Sequence, residues 1–238
     1  MSDSQKSTVD EIRARFDNDV ERFSNLETGQ SATMDAPLVL DLITQVAATH
    51  HPHATSVLDI GCGAGNYTLQ LLKRKPGLDC TLVDLSQPML TRAAERLAES
   101  SATHVETHCG DFRNVKLPTD TYDIVMAAAV LHHLRDDEDW KQTFAKIFRS
   151  MKTGGILLVS DLMGQDIPAV QQVQWDRYGD YLRNLRDDDY RQTVFDYIEK
   201  EDTPRSMAFQ LNLCREVGFW RVEVLHLNAC FGSYCAVK

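Results

Sequence analysis

Basic side chains and long apolar runs are both scarce in this sequence. Lysine and arginine number 25 among 238 residues, against 35 aspartates and glutamates, which gives a formal charge of −10. This balance argues against a nucleic-acid partner, because phosphate backbones are bound by clustered Lys and Arg. The longest apolar run, residues 124–131, is far too short to cross a bilayer. The amino terminus also lacks the apolar segment of a secretory signal, so we expect a cytoplasmic protein with no membrane contact.

Closely spaced cysteine pairs are also missing. The six cysteines include no C-x-x-C pair, the usual signature of a zinc or redox motif. In a chain expected in the cytoplasm, such cysteines are reduced and mostly buried thiols. The sequence therefore predicts no metal site.

Strands and helical segments alternate along most of the chain. Short apolar runs predict strands near residues 55–60, 78–86, 103–112, 122–131, 156–162, 220–228 and 230–238. Amphipathic segments between them predict helices. One of these begins at the acidic residues 136–139, which suit a helix N-terminus, and ends at Gly154 and Gly155. Alternation of this kind is typical of an α/β fold with a doubly wound, seven-stranded, mostly parallel sheet.

Two stretches depart from this alternation. Residues 1–50 predict two N-terminal helices, the second starting near Asp35, and residues 163–205 predict a helical insertion after the fifth strand. The insertion mixes charges and aromatics at helical spacing, so we expect it to lie over the sheet edge as a lid. The length of the chain is that of one domain, so residues 1–238 are expected to fold together.

Three glycines in five positions follow the first predicted strand, at Gly61, Gly63 and Gly65. In an open α/β sheet, ligands bind at the carboxyl ends of the strands, where this loop is expected. A dinucleotide fingerprint would need a glycine where Asn66 stands, which counts against a nicotinamide-dependent oxidoreductase. A P-loop is excluded because no Gly-Lys-Ser/Thr follows.

Two acids end the strands on either side of this loop. A carboxylate at Asp59, at the end of the first strand, would repel a pyrophosphate and attract an ammonium or sulfonium. A carboxylate at Asp84, at the end of the second strand, is suited to accept hydrogen bonds from a ribose diol. Together they indicate a ligand with a cationic end and a ribose.

Five segments resemble, in order and spacing, the motifs of class I S-adenosylmethionine-dependent methyltransferases. They are VLDIGCGAGNYT, LVDLSQPML, CGDFRNVKLP, YDIVMAAAVLHHL and MKTGGILLVSDL. The resemblance covers about residues 55–162. It implies a Rossmann-like methyltransferase fold, S-adenosyl-L-methionine as the cofactor, and methyl transfer to a small-molecule acceptor as the activity.

The resemblance also implies a role for each matching residue. Asp59 and the backbone of residues 61–65 would hold the methionine amine and carboxylate, and Asp84 would hold the ribose hydroxyls. Neighbouring side chains would contact the sugar and adenine, with Asp111 accepting from the adenine amine, although Met89 and Phe112 also suit plain core packing. The implied cofactor residues are Asp59, Gly61, Cys62, Gly63, Gly65, Asn66, Asp84, Leu85, Met89, Asp111, Phe112 and Ala128, the last facing the sulfonium.

Candidate catalytic residues follow the fourth and fifth strands. His132 and His133 come after the fourth strand, and Asp161 ends the fifth. An acceptor that loses a proton needs a general base, and histidine is the usual one at neutral pH. Each histidine also suits a core or capping hydrogen bond, and Asp161 suits a loop cap.

Three alternatives stay open at this point. The two ends of the chain resemble the carboxy-S-adenosylmethionine synthase branch of the fold, which modifies the tRNA wobble uridine. In that branch an arginine of the insertion binds the extra carboxylate; here that place holds Thr203, with Arg205 two residues on. The second alternative is a non-catalytic module that only binds the cofactor. The third open point concerns assembly, since the chain could form a homodimer.

Overall fold

A seven-stranded sheet organises the molecule, with strand order β3-β2-β1-β4-β5-β7-β6. The structure is a computed structural model that describes residues 6–25 and 29–238. The strands are β1 Ser56–Ile60, β2 Asp79–Asp84, β3 His104–Cys109, β4 Tyr122–Ala128, β5 Met151–Leu162, β6 Arg221–Asn228 and β7 Phe231–Val237.

All neighbours from β3 to β5 pair in parallel, while β7 pairs antiparallel with both β5 and β6. The prediction of a doubly wound, mostly parallel sheet of seven strands is confirmed.

Helices cover both faces of this sheet. They are α1 Val9–Asp17, α2 Val20–Ser24, α3 Ala36–His50, α4 Asn66–Arg74, α5 Gln87–Ala98, α6 Asp137–Ser150, α7 Pro168–Leu185, α8 Asp188–Glu201 and α9 Met207–Val217. Side chains alternate across a strand, so Val57 of β1 packs with α3, α4 and α5, whereas Leu58 packs with α6 and α9. The core is therefore divided into two layers by the sheet, and Asp59 points to the same layer as Val57.

Helix α6, which precedes β5, is shorter than the sequence predicted from Gly154 and Gly155. Asp136 caps its start by accepting from the amide of Asp139, as expected for acidic residues at this position. The prediction that Gly154 and Gly155 end the helix is wrong, because α6 stops at Ser150 and β5 begins at Met151. Met151 pairs with Tyr122, and a register shift in β4–β5 accommodates the two glycines inside the strand.

The N-terminal region also differs in detail from the prediction. The expected first helix is divided at Asn18 and Asp19 into α1 and α2, and the next long helix, α3, starts at Ala36 as the sequence indicates. Part of the region, residues 1–5 and 26–28, lies outside the described residues.

The insertion forms two helices, α7 and α8, that pack over the end of β5 and the start of β7. Tyr178 and Leu182 are buried there with Leu162 of β5 and Cys230, next to β7. The hydroxyl of Tyr178 donates to the carbonyl of Ala32 at 3.0 Å, which ties α7 to the segment before α3. Among the described residues, no helix combines the length and apolar character needed to cross a membrane.

Candidate active site

A cavity opens at the carboxyl ends of β1, β2, β4 and β5, where a doubly wound sheet binds ligands. Most of the residues singled out by the sequence line it. They are Asp59, Gly61, Cys62, Gly63, Asn66, Asp84, Leu85, Met89, Ala128, His132, His133 and Asp161. Gly65, Asp111 and Phe112 do not, and each has a different surrounding.

The loop between β1 and α4 bends through left-handed backbone at each of its glycines. Gly61 has φ +66°, and a Cβ there would meet Val130 Cγ2 at 2.6 Å, so both backbone and space require glycine. Gly65 has φ +81° and begins α4, but it backs onto Ala93 and Leu97 of α5 rather than the cavity. The middle glycine, Gly63, has φ +50° and open space on its Cβ side.

Asp84 fastens this loop to the end of β2. Its carboxylate accepts from the backbone amide of Gly63 at 2.8 Å and from the amide of Ser86 at 2.9 Å. Burial raises the pKa of Asp84, and the two amide bonds oppose that rise. The carboxylate therefore shapes the loop before any ligand is present.

Asp59 is a carboxyl held in a nearly dry position. It is buried, and the hydroxyl of Thr68 on α4 donates to it at 2.6 Å. Burial raises the pKa of Asp59 to about 7, with the charge of Asp84 adding to the rise and Thr68 opposing it. A cationic group in the cavity would restore the charge of this carboxyl, which suits an ammonium or sulfonium ligand.

Asn66 holds the N-terminal helices to the loop. Its Nδ2 donates to the carbonyl of Phe23 at 2.8 Å, and its Oδ1 accepts from Arg96 at 2.8 Å. Phe16 and Phe23 thereby reach the cavity wall. The sequence reasoning missed these aromatic residues, because no local pattern links residues 16 and 23 to Asn66, which lies 43 positions beyond Phe23.

Asp111 and Phe112 line an adjoining cavity that shares Asp84 and Leu85 with the first. The carboxylate of Asp111 accepts from the guanidinium Nε of Arg113 at 3.0 Å. Burial alone would raise the pKa of Asp111, but the bonds from Arg113 outweigh it and lower that pKa. Asp111 is thus already engaged by a cation.

The far end of the main cavity carries two imidazoles and two acids. Asp161 is buried and accepts from the amides of Leu131 and Leu162, each at 2.7 Å, while also contacting Nδ1 of His132. Burial lowers the pKa of His132, but the carboxylates of Asp161 and Asp202 outweigh it and raise that pKa to about 9. Burial and the charge of His132 lower the pKa of the neighbouring His133.

Asp202 is another residue of the cavity that sequence reasoning missed. It follows α8 and is 4% exposed, and the amide of the next residue, Thr203, donates to the carbonyl of His132 at 2.7 Å. That bond brings Asp202 Oδ1 within 3.1 Å of His133 Nδ1 and 3.7 Å of His132 Nε2. No sequence signal distinguishes it, because it is one of many acids in the insertion.

The comparisons with known proteins agree with this architecture. A family model described as "Methyltransferase domain" matches residues 57–155. The carboxy-S-adenosyl-L-methionine synthase of Shewanella sp. (strain ANA-3) is 34% identical over 191 residues, which cover 77% of this chain and 76% of the synthase.

Two solved methyltransferase structures resemble the fold. Human N-acetylserotonin methyltransferase in complex with S-adenosylmethionine has a TM-score of 0.62 at 18% identity, covering 95% of this chain and 56% of that one. The mitomycin 7-O-methyltransferase MmcR has a TM-score of 0.62 at 21% identity, covering 98% and 61%. The chain thus spans less than two thirds of either protein, and likeness at this identity concerns the fold alone.

Five ordered motifs, the sheet they form and the extent of the match to the synthase agree with one another. The resemblance seen in the sequence is confirmed: the chain belongs to the class I S-adenosylmethionine-dependent methyltransferase family, whose cofactor is S-adenosyl-L-methionine.

Proposed function

We propose that this enzyme transfers the methyl group of S-adenosylmethionine to a small-molecule acceptor. One observation carries the proposal: the glycine loop, Asp59 and Asp84 line the same cavity as His132, His133 and Asp161. A donor bound at the first group of residues would direct its reactive end toward the second group.

The donor end would be held by charge and by backbone. Asp59 and the backbone of residues 61–65 would bind the methionine amine and carboxylate, and Asp84 would accept from the ribose hydroxyls. Leu85 and Met89 would lie beside the sugar and adenine, and Ala128 beside the sulfonium. These assignments come from the family resemblance, and the fact that all of these residues except Gly65 line one cavity supports them.

The adenine end needs a different account. The carboxylate of Asp111 accepts from Arg113, and it would also accept a hydrogen bond from the adenine amine. One face of the adenine ring would then lie against Phe112. Phe112 itself lies under the ammonium of Lys146, 4.7 Å from the ring centroid. The adjoining cavity that these residues line would hold the base, while the main cavity holds the rest of the donor.

The acceptor would bind between the two histidines and the helical cover. Phe16 of α1, Tyr178 of α7 and Ile198 of α8 line the cavity opposite the strand ends. These side chains would border a small-molecule acceptor and limit, without abolishing, the access of water to it. In the reaction, the acceptor atom attacks the methyl carbon, the carbon–sulfur bond breaks, and its electron pair returns to sulfur.

Synthesis of carboxy-S-adenosylmethionine is the second candidate, because the relative in Shewanella is named a carboxy-S-adenosyl-L-methionine synthase. Arg205, the cation nearest to the required place in sequence, pairs instead with Asp137 at 2.5 Å. Thr203 donates its amide to His132 and brings no positive charge. These contacts favour plain methyl transfer in the proposal.

Binding and turnover test the proposal in one protein. We expect calorimetry to detect binding of S-adenosylmethionine and of its demethylated product, with micromolar dissociation constants. We also expect mass spectrometry to detect a methylated product from a panel of small hydroxyl, thiol and amine acceptors. Conversion of S-adenosylmethionine itself to carboxy-S-adenosylmethionine, in an assay also supplied with a carboxyl donor, would favour the synthase, and no binding at millimolar S-adenosylmethionine would overturn the proposal.

A further inference from the structure

We propose that His132, His133 and Asp202 bind one divalent transition-metal ion at the acceptor end of the cavity. The role given to this ion rests on the proposed function, since it would act on the methyl acceptor. Each residue offers one ligand atom, and the three atoms lie within 4.8 Å of one another. All three residues also line the cavity that would receive the donor.

Two of the three separations between these atoms are close to those around a single metal ion. Metal bonds to histidine nitrogen and carboxylate oxygen are about 2.1 Å long, so adjacent ligand atoms lie roughly 3.0 to 3.4 Å apart around one ion. Asp202 Oδ1 is 3.1 Å from His133 Nδ1 and 3.7 Å from His132 Nε2. The third separation, between the two histidine nitrogens, is at most 4.8 Å, so small rotations of the imidazole side chains would bring all three atoms onto one ion.

Several buried polar atoms in the cluster lack a well-formed hydrogen bond. Within the described ranges, Asp202 Oδ1 and both ring nitrogens of His133 are buried and make no hydrogen bond. Asp202 Oδ1 and His133 Nδ1 are close, but they are not aligned as donor and acceptor. Leaving buried polar atoms unpaired is costly, whereas lone pairs that converge on a cation are satisfied by it.

Asp161 orients one of the ligands. Its carboxylate is fixed by the backbone amides of Leu131 and Leu162 and contacts Nδ1 of His132. A proton held on Nδ1 leaves the lone pair on Nε2, the nitrogen that faces Asp202. Metal-binding histidines are commonly oriented by a carboxylate in this way.

The ligand set indicates which ion and which acceptor. Two imidazoles and one carboxylate suit Zn²⁺ or Fe²⁺, whereas Mg²⁺ and Ca²⁺ prefer oxygen ligands throughout. Three protein ligands leave a coordination position open, and the acceptor class that fits it is a hydroxyl or thiol. On coordination the acceptor releases its proton to solvent, and the resulting anion attacks the methyl carbon as the carbon–sulfur bond breaks.

Cobalt binding to the full chain tests the site directly. After treatment with a chelator, we expect the protein to bind one equivalent of Co²⁺, with visible absorption bands that Zn²⁺ abolishes. Asp202→Asn and His133→Gln should weaken Co²⁺ binding by at least about 100-fold, and Asp161→Asn by about 10- to 100-fold. His108→Gln, on the edge strand β3, is the control and should bind as the parent does.

Two readouts keep the outcomes separate. Circular dichroism establishes that each variant is folded, and calorimetry measures binding of the demethylated cofactor in the same samples. Folded parent protein that binds this cofactor but not Co²⁺ would overturn the metal site and leave the proposed function standing. Co²⁺ bound equally by the parent, Asp202→Asn and His133→Gln would also overturn the site. Co²⁺ bound as expected with no cofactor bound would contradict the proposed function instead.

Discussion

The carboxylate of Asp84 accepts a hydrogen bond from the backbone amide of Gly63 across 2.8 Å, although the two residues lie 21 positions apart. A second oxygen of the same carboxylate accepts from Ser86. Asp84 therefore holds the loop between β1 and α4 in shape, in addition to any contact it makes with a ribose.

Replacement of Asp84 by asparagine should weaken donor binding. One oxygen becomes an amide donor, which would face the N–H of either Gly63 or Ser86 and lose a charge-assisted bond. We expect the dissociation constant for S-adenosylmethionine to rise at least about tenfold, the effect of ~1.4 kcal/mol. Asp79→Asn, at the exposed start of the same strand, is the matched control. Equal affinity in Asp84→Asn and the parent would contradict this role.

Two glycine substitutions should separate stability from binding. Gly61→Ala puts a Cβ 2.6 Å from Val130 on left-handed backbone, so unfolding free energy should fall by about 2 kcal/mol or more. Gly63→Ala has the same backbone strain but no described atom within 4 Å of its Cβ, so its loss should stay near 1 kcal/mol. Because Gly63 lines the cavity, its variant should nevertheless bind the donor poorly. Thermal melts with and without donor measure both effects, and normal donor affinity in Gly63→Ala would contradict the loop's binding role.

Asp59 should make stability fall as pH rises. Its pKa is about 7 in the folded protein and 3.8 in an unfolded reference, so the folded state holds this proton longer. The cost of the buried charge therefore grows between about pH 4 and 7 and is complete above 7. Asp59→Asn removes it, so we expect the variant to gain stability relative to the parent between pH 5 and 8.

Donor binding should respond in the opposite direction at the same residue. A cationic donor favours the charged carboxylate, so affinity in the parent should increase from pH 5 to 8 and be weaker and flatter in Asp59→Asn. Urea unfolding and calorimetry at several pH values measure the two trends. Parallel pH profiles for the parent and Asp59→Asn would show that the buried carboxyl does not titrate in this range.

Asp123 should stabilise the opposite end of the sheet. Its carboxylate accepts from the amide of Thr55 at 2.8 Å and from Lys152 at 2.9 Å. Burial would raise the pKa of Asp123, but Lys152 and the hydrogen bonds outweigh it and lower that pKa to about 2. This contribution is present above about pH 4 and is lost as pH falls through 2, and at pH 7, reduced by solvent screening of the pair with Lys152, it is about 1–2 kcal/mol.

Asp123→Asn should therefore lower the unfolding free energy by about that amount at pH 7, with the difference from the parent shrinking below pH 4. The matched control is Asp120→Asn, which removes an ion pair between Lys238 and a carboxylate that is 67% exposed. Such a surface pair should change stability by less than about 1 kcal/mol. Equal losses in the two variants would contradict the distinction between buried and exposed carboxylates.

Local sequence patterns predicted those parts of the fold whose conformation depends mainly on residues within the same short segment. The glycines of residues 61–65 and the acids at the ends of β1 and β2 lie within short segments, and their meaning follows from period and spacing. The prediction that Gly154 and Gly155 end a helix failed because Met151 already pairs with Tyr122. β5 therefore begins before the glycines, which lie inside the strand. Long-range pairing outweighed a local signal there.

The acceptor end could not be read in the same way. His132, His133 and Asp161 follow strand ends and were singled out in the sequence, but Asp202 meets them only because α8 ends beside His132. The orientation of that helix depends on packing between α7, α8 and the N-terminal segment. Such contacts join residues far apart in sequence, and a single sequence carries no pattern for them.

The start of the chain is tied to the end of α8 by several bonds. Arg15 donates to Glu201 at 2.9 Å, Lys6 donates to the carbonyl of Asp202 at 2.6 Å, and Arg135 donates to the carbonyl of Ser7 at 2.8 Å. Residues of both segments line the cavity, so neither segment can move away from it while these bonds persist. If the demethylated product leaves on that side, these bonds must break before it can dissociate. Product release, rather than methyl transfer, would then limit the turnover rate.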